Sequence, residues 1–233
     1  RDLNRAMDGQ TGLDYFDVWA RELQDTGYLH NHARMWFASI WIFTLGLPWR
    51  IGADFFYRHL LDGDAASNML GWRWVAGLHT RGKPYPATAQ NIGAFTAGRF
   101  RPRPNDLVEV TQGLEATEPD GLPSVQPLRA VTPPQPGRPT ALMITDEDCR
   151  VEDFDLATLD IRTAATLTAG HLRSSLPVSD VVLRFEDGAL ADAAARSGVT
   201  TAAMQANDPN ALAKWAARAG ATQIVRASCR ERV

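Results

Sequence analysis

Apolar positions recur every three or four residues through the first third of the chain and lose that rhythm near residue 80. In GLDYFDVWARELQD (12–25), Leu13, Phe16, Trp19, Ala20 and Leu23 share one stripe, the pattern of an amphipathic helix. Gly27 follows it as a helix C-terminal glycine does. Residues 29–46 predict a second, more buried helix that Pro48 ends. Residues 51–62 (IGADFFYRHLLD) predict a third, and Ala65–Val75 a short fourth. Residues 81–105 lose periodicity and gain Gly and Pro. Up to about residue 105 the chain reads mainly α.

After that the pattern changes. Residues 106–139 are polar and carry Pro119, Pro123, Pro127, Pro133, Pro134, Pro136 and Pro139, which reads as a linker or an extended surface segment. Strands are predicted at ALMITD (141–146), SDVVLRF (179–185) and TQIVRA (222–227), and helices at 160–174, 188–197 and 208–219. Such alternation predicts a small α/β segment with a parallel sheet. No Gly-rich phosphate fingerprint follows any of these strands, so nucleotide binding in this half has no motif to support it. The final SCRERV is polar and patternless and reads as a frayed tail. The expected organisation is a helical domain at 1–105, a Pro-rich linker at 106–139, an α/β segment at 140–227 and a tail at 228–233.

Composition narrows the class. With 233 residues, 45% hydrophobic and 22% charged, the chain suits a soluble globular protein of one or two domains. Net charge is −3, but the halves differ: residues 1–105 hold 12 Lys/Arg against 9 Asp/Glu, and residues 106–233 hold 12 against 18. The basic front half allows a nucleic-acid face without demanding one. Cys149 and Cys229 show no metal-ligand spacing and no disulfide framework, which points to a reducing, cytoplasmic setting. The longest apolar run, Met35–Trp49, lies between Arg34 and Arg50 and is short for a membrane span. The first residue is Arg1, which allows a start within a longer protein.

The candidate chemistry lies between Thr26 and Trp74. Asp62 and Asp64 flank Gly63, Ala65, Ala66 and Ser67 are small enough for a flat ligand to approach the backbone, and Asn68 follows one turn after Asp64. The same spacing equally describes a helix cap. Asn31 and Arg34 share a helix face, and Arg34 needs an anionic partner, which Asp62, Asp64 or a ligand phosphate could supply. His30 and His32, two apart on a helix, point away from each other and make a poor metal pair; no metal site is expected. Trp36, Trp41, Trp49, Trp72 and Trp74 read first as core aromatics.

This segment resembles the helical FAD-binding domain of the DNA photolyase/cryptochrome family. Thr11–Gly12 with Asp17 and Arg21–Leu23 matches the family's TGxxxxD…RxL helix. TGYLHNHARM matches TGWMHNRxRM, LPWRIGADFF matches DWRxGexxF, and LLDGDAASNMLGWRW matches LxDGDxAsNxGGWQW. The match covers roughly residues 10–80. It implies FAD as cofactor, held by Asn31, Arg34, Asp62, Asp64 and Asn68, with Asn68 facing the reactive ring nitrogen. It implies Trp72 as the electron donor nearest the flavin and Trp49 as the next relay. Asn31, Met35 and Trp74 match positions lining the cavity for a flipped pyrimidine dimer. The implied activity is that of a deoxyribodipyrimidine photo-lyase: light-driven electron transfer from reduced flavin to a cyclobutane pyrimidine dimer in damaged DNA. The alternative is a cryptochrome-like blue-light photosensor that binds FAD and repairs nothing.

The departures are specific. Tyr28 replaces the usual tryptophan, His32 an arginine that often contacts substrate or DNA backbone, and Met69–Leu70 a polar-glycine pair. Beyond Trp74, PYPATAQNIGAFTAGRFRP keeps only Pro84–Tyr85, Arg99–Phe100 and Pro102 of the family's PYFRIFNPxxQxxKFDP stretch. The upstream Ser/Thr-rich phosphate-binding segment, the third relay tryptophan and the antenna domain before the core have no counterpart. The α/β segment follows the core instead of preceding it. Three readings fit these departures: a fragment of a longer protein, a divergent member with a displaced α/β segment, or a fold that persists without repair activity.

Overall fold

The computed structural model describes residues 2–115, 124–127, 130, 132–153 and 155–226. The chain divides into two compact units, Arg1–Pro123 with Leu176–Val182, and Ser124–Ser175 with Leu183–Val233.

The first unit is helical: α1 (Asp2–Met7), α2 (Asp14–Thr26), α3 (Asn31–Ser39), α4 (Trp49–His59), α5 (Ala65–Val75) and α6 (Ala89–Phe95). The apolar stripe of α2 is buried as its periodicity predicts, with Phe16, Trp19, Ala20 and Leu23 in the core. Gly27 ends the helix at φ 70° and donates its N–H to Leu23. A Cβ there would also lie 2.6 Å from Leu61 Cγ, so glycine is required twice over. The TG…D pattern is explained locally. Asp17 is buried and accepts bonds from the N–H and hydroxyl of Thr11 and the N–H of Gly12, while Arg21 donates to Gly9 O at 2.7 Å.

The single helix expected at 29–46 is two pieces. α3 stops at Ser39 and continues as a π-helical turn, Ile40–Thr44. Gly46, at φ 65°, lies just beyond that turn, and Pro48 is the N-cap of α4, not the terminator of the preceding helix. α4 is shorter than expected because Leu60 turns extended and Leu61 N–H bonds back to Gly27 O. The short α6 lies within the stretch that sequence periodicity left without structure, capped by the Thr88 hydroxyl on Asn91 N–H. Phe37 sits at the centre of the core, packing on Phe16, Trp41, Phe55, Phe56 and Trp72.

The second unit is more than a minor appendage. It holds a four-stranded parallel sheet in the order β3-β2-β1-β4, built from β1 (Pro139–Ile144), β2 (Asp160–Thr168), β3 (Thr201–Gln205) and β4 (Gln223–Arg226), with helices α7 (Asp180–Ser197) and α8 (Pro209–Arg218). Two expectations are overturned. Residues 160–174 open as the inner strand β2, and 179–185 as the start of α7. β2 is flanked by strands on both edges and buries Ala164, Ala165, Thr166 and Leu167 in succession, and such a run carries no alternating signature. In α7 the Val181–Val182 pair mimics a strand, yet the helix runs 18 residues. The Pro-rich stretch is not purely a linker: Pro139 opens β1, Gly137 N–H bonds Thr158 O, and Arg138 and Gln135 bond Thr222 and Gln223. Parts of that stretch, and the whole tail at 228–233 with Cys229, lie outside the described residues. Glu186 is buried on α7 and accepts from the N–H groups of Ala169 and Gly170, tying the end of β2 to the helix.

Among the described residues, no helix is long and apolar enough to cross a membrane. No group of three or more His, Cys, Asp or Glu among them could hold a metal ion.

Candidate functional site

The helical unit contains a cavity of about 320 Å³ between α3, α4 and α5, at the small end of the range for small-molecule sites. Asn31, Arg34 and Met35 reach it from α3, and Asn68, Trp72 and Trp74 from α5. Asp62, Gly63 and Asp64 supply the loop between α4 and α5, and Phe56 and Leu60 an apolar wall. Asn31, Arg34, Met35, Asp62, Asp64, Asn68, Trp72 and Trp74 thus line one cavity, whereas Trp49 does not. Ser67 also lines it, whereas Ala65 and Ala66 are exposed and do not. Sequence reading missed Phe56, Leu60 and Gly71, since a wall residue and a core residue leave the same apolar signal.

Arg34, Asp62, Asp64 and Asn68 are each held by a nameable contact. Arg34 donates from Nη2 to both oxygens of Asp62, at 3.1 and 3.0 Å, and from Nε to Leu29 O at 2.8 Å. The open choice of Arg34 partner is thus settled for Asp62. Asp62 is 61% exposed, so the pair contributes only about 0–1 kcal/mol of stability and serves to orient the guanidinium. Asp64 is the N-cap of α5 and accepts the Ser67 N–H at 2.6 Å, so the cap reading of the DGD turn is realised in the cavity wall itself. That N–H, with the Ser67 side chain, holds the Asp64 carboxyl below its ordinary range. Asn68 donates one amide N–H to Ala53 O at 2.7 Å, which leaves its carbonyl oxygen and second N–H for a ligand.

Trp72 is buried against Phe56, Trp41 and Phe37, with ring centroids 5.1, 6.2 and 6.5 Å away, and its Nε1 has no hydrogen-bond partner. Gly52 makes room for it: a Cβ there would fall 2.3 Å from Trp72 Cη2 and 2.9 Å from Trp41 Nε1. Trp74 is 39% exposed and packs on Tyr85 at 5.2 Å. Trp49 opens α4 away from the cavity, under the guanidiniums of Arg50 and Arg73 at 5.6 and 5.9 Å. No ring contact joins Trp49 to Trp72 among the described residues.

His30 and His32 do not point apart. His30 is the N-cap of α3 with extended backbone, its Nδ1 accepts the His32 N–H at 3.3 Å, and the two rings stack 5.4 Å apart. Helical spacing does not apply because His30 lies outside the helix.

These features define a helical domain with a cavity that has apolar walls and a polar edge. Residues 1–95 match the family model of the FAD binding domain of DNA photolyase. Relatives named deoxyribodipyrimidine photo-lyase include those of Streptomyces griseus (46% identical over 76 residues), Thermus thermophilus (44% over 78) and Salmonella typhimurium (42% over 77). These alignments cover 33–34% of this chain and 16–19% of the relatives. The chain thus spans less than a fifth of the length of the relatives it matches.

The family match identifies FAD as the cofactor, and the residues present fit its ring end. Apolar walls from Phe56, Leu60 and Trp72 face an oriented guanidinium, two carboxylates and a half-satisfied amide.

Proposed function

We propose that this chain binds FAD in the α3–α5 cavity and serves light-driven repair of pyrimidine dimers in DNA. The observation that carries the reading is the convergence of Arg34–Asp62, Asn68 and Trp72 on one cavity beside Asn31, Met35 and Trp74. FAD, when bound, supplies the photochemical electron transfer; the protein supplies binding and orientation. Arg34, locked by Asp62, presents a fixed positive edge. Asp62 and Asp64 serve as acceptors for the ligand's polar groups. Asn68, anchored on Ala53, offers both donor and acceptor to the ring edge. Trp72 is the aromatic donor in the wall, with Trp49 as the relay beyond it. Trp74, half open to solvent, offers a stacking face for extruded bases, with Asn31 and Met35 lining the same space.

The photosensor reading shares the cofactor site and parts from repair at DNA. His32 in place of the family's arginine and the altered segment after Trp74 favour it; Asn31, Met35 and Trp74 favour repair. Binding of a dimer-containing duplex, followed by light-dependent dimer loss, supports repair. A flavin-loaded protein that neither binds the lesion nor removes it supports sensing. Trp72→Phe should slow photoreduction while leaving flavin bound; an unchanged rate would make Trp72 merely core.

A further inference from the structure

We propose that Phe95, with His32 and His30 beneath it, forms a stacking platform for an undimerised nucleobase displaced from the duplex beside the cavity. The inference rests on the DNA reading above and adds a contact outside the cavity.

Three rings form a ladder. Phe95 stacks on His32 with centroids 4.5 Å apart and planes 21° apart, and His32 stacks on His30 at 5.4 Å and 12°. Trp36, buried in the core, backs His32 at 5.5 Å and 28°. The ladder is therefore anchored at one side and open at the other, where Phe95 is 64% exposed. His32 Nδ1 is buried without a hydrogen-bond partner, so at that edge the ring contributes its face and no polar bond. His32 follows Asn31, a cavity residue, on α3, while the ladder rings themselves lie outside the cavity lining.

The charge along this stretch of chain selects the occupant. From Ala65 to Asn105, the stretch that contains Phe95, there are six Lys/Arg and no Asp or Glu. Five of the six, Arg81, Lys83, Arg99, Arg101 and Arg103, are exposed. An acidic peptide would use the cations and leave the ring face idle, and an apolar protein surface would use the ring and leave the cations unmatched. A nucleic-acid strand uses both: phosphates meet the cations, and an unstacked base of any identity meets the ring. Phe95 is held flat on His32 before binding, so little ordering is lost when a base arrives.

The test uses the full chain with a duplex containing one pyrimidine dimer, carrying 2-aminopurine at the flanking or opposing nucleotide. Phe95→Ala should weaken binding roughly fivefold or more, the low end of base–aromatic stacking. The complex with Phe95→Ala should also show brighter 2-aminopurine than the complex with the unaltered protein, because the displaced base then has no ring to stack on. The salt dependence should keep its slope, because no phosphate contact is removed. Phe95→Tyr should retain affinity and quenching. Equal binding and quenching by the unaltered protein and Phe95→Ala would overturn the platform and leave lesion binding standing. No binding of lesion DNA by the unaltered protein would overturn the platform together with the DNA reading. Loss of affinity in both Phe95→Ala and Phe95→Tyr would also overturn it, since the ring face would then not be the contact.

Discussion

Gly52→Ala is a demanding test of the packing that shapes the cavity. Gly52 lies in the interior of α4, where alanine ordinarily stabilises a helix by about 1 kcal/mol over glycine. Here the added Cβ would meet Trp72 Cη2 at 2.3 Å, Trp72 Cζ3 at 2.4 Å and Trp41 Nε1 at 2.9 Å. Ordinary carbon contacts lie near 3.5 Å, so one indole must retreat by about 1 Å. Both are buried, and Trp41 is further held by its Nε1–H bond to Pro48 O at 3.1 Å. Trp72 borders the cavity and is the ring with room to yield. Overpacking of this kind costs about 1–3 kcal/mol or more. Set against the helix gain, the net change is roughly 0–2 kcal/mol of destabilisation, with Trp72 displaced towards the ligand space. The assay is thermal unfolding of the helical unit by near-ultraviolet circular dichroism, with flavin content measured on the same sample. The expected result is a Tm unchanged or lowered by several degrees, an altered tryptophan signal and reduced flavin retention. A Tm raised by the full glycine-to-alanine increment, with unchanged flavin content, would refute the placement of Trp72.

Other substitutions separate stability from binding. Arg34→Ala should leave Tm nearly unchanged, because its pair with Asp62 is half exposed, and should weaken FAD binding roughly tenfold or more; titration of apoprotein with FAD checks this. Asp64→Ala should lose about 1 kcal/mol through the α5 cap and abolish flavin retention; Asp64→Asn should keep the cap and expose the binding loss alone. The Asp64 carboxyl sits below its ordinary range in the folded chain, so the cap is present above that range and fades as pH falls through the folded value. His59 behaves similarly in a higher window. Burial lowers its pKa below the ordinary value of 6.5, outweighing the bond to Phe55 O. The unfolded chain then takes up the proton first. Stability is full above about pH 6.5 and declines as pH falls through the folded value. Tm of the unaltered protein against that of His59→Gln across this range should show the decline only in the former.

The helical half was legible because one-sided burial imposes a period on sequence. The α2 stripe and the Ala65–Val75 helix appear where that period places them. The motifs named residues that the fold gathers around one cavity, Trp49 excepted, but not their geometry: spacing left Arg34 between two carboxylates, and only the fold put Asp62 within its reach. The same spacing set His30 and His32 apart, because a capping residue has left the helical path. The α/β half was less legible for the opposite reason. β2 is flanked on both edges and its Ala- and Thr-rich run carries no alternation, while α7 opens with a Val pair that imitates a strand. The break after α3 is also invisible to periodicity, since it combines a π-helical turn with a left-handed Gly46.

The central claim is that the α3–α5 cavity holds a photoactive flavin. The visible absorption spectrum of the purified protein, before and after added FAD, tests it most directly. The account predicts a flavin band that bleaches under blue light with a reductant and falls sharply in Asp64→Ala. A colourless protein that takes up no added FAD would contradict it and remove the repair and sensing readings together.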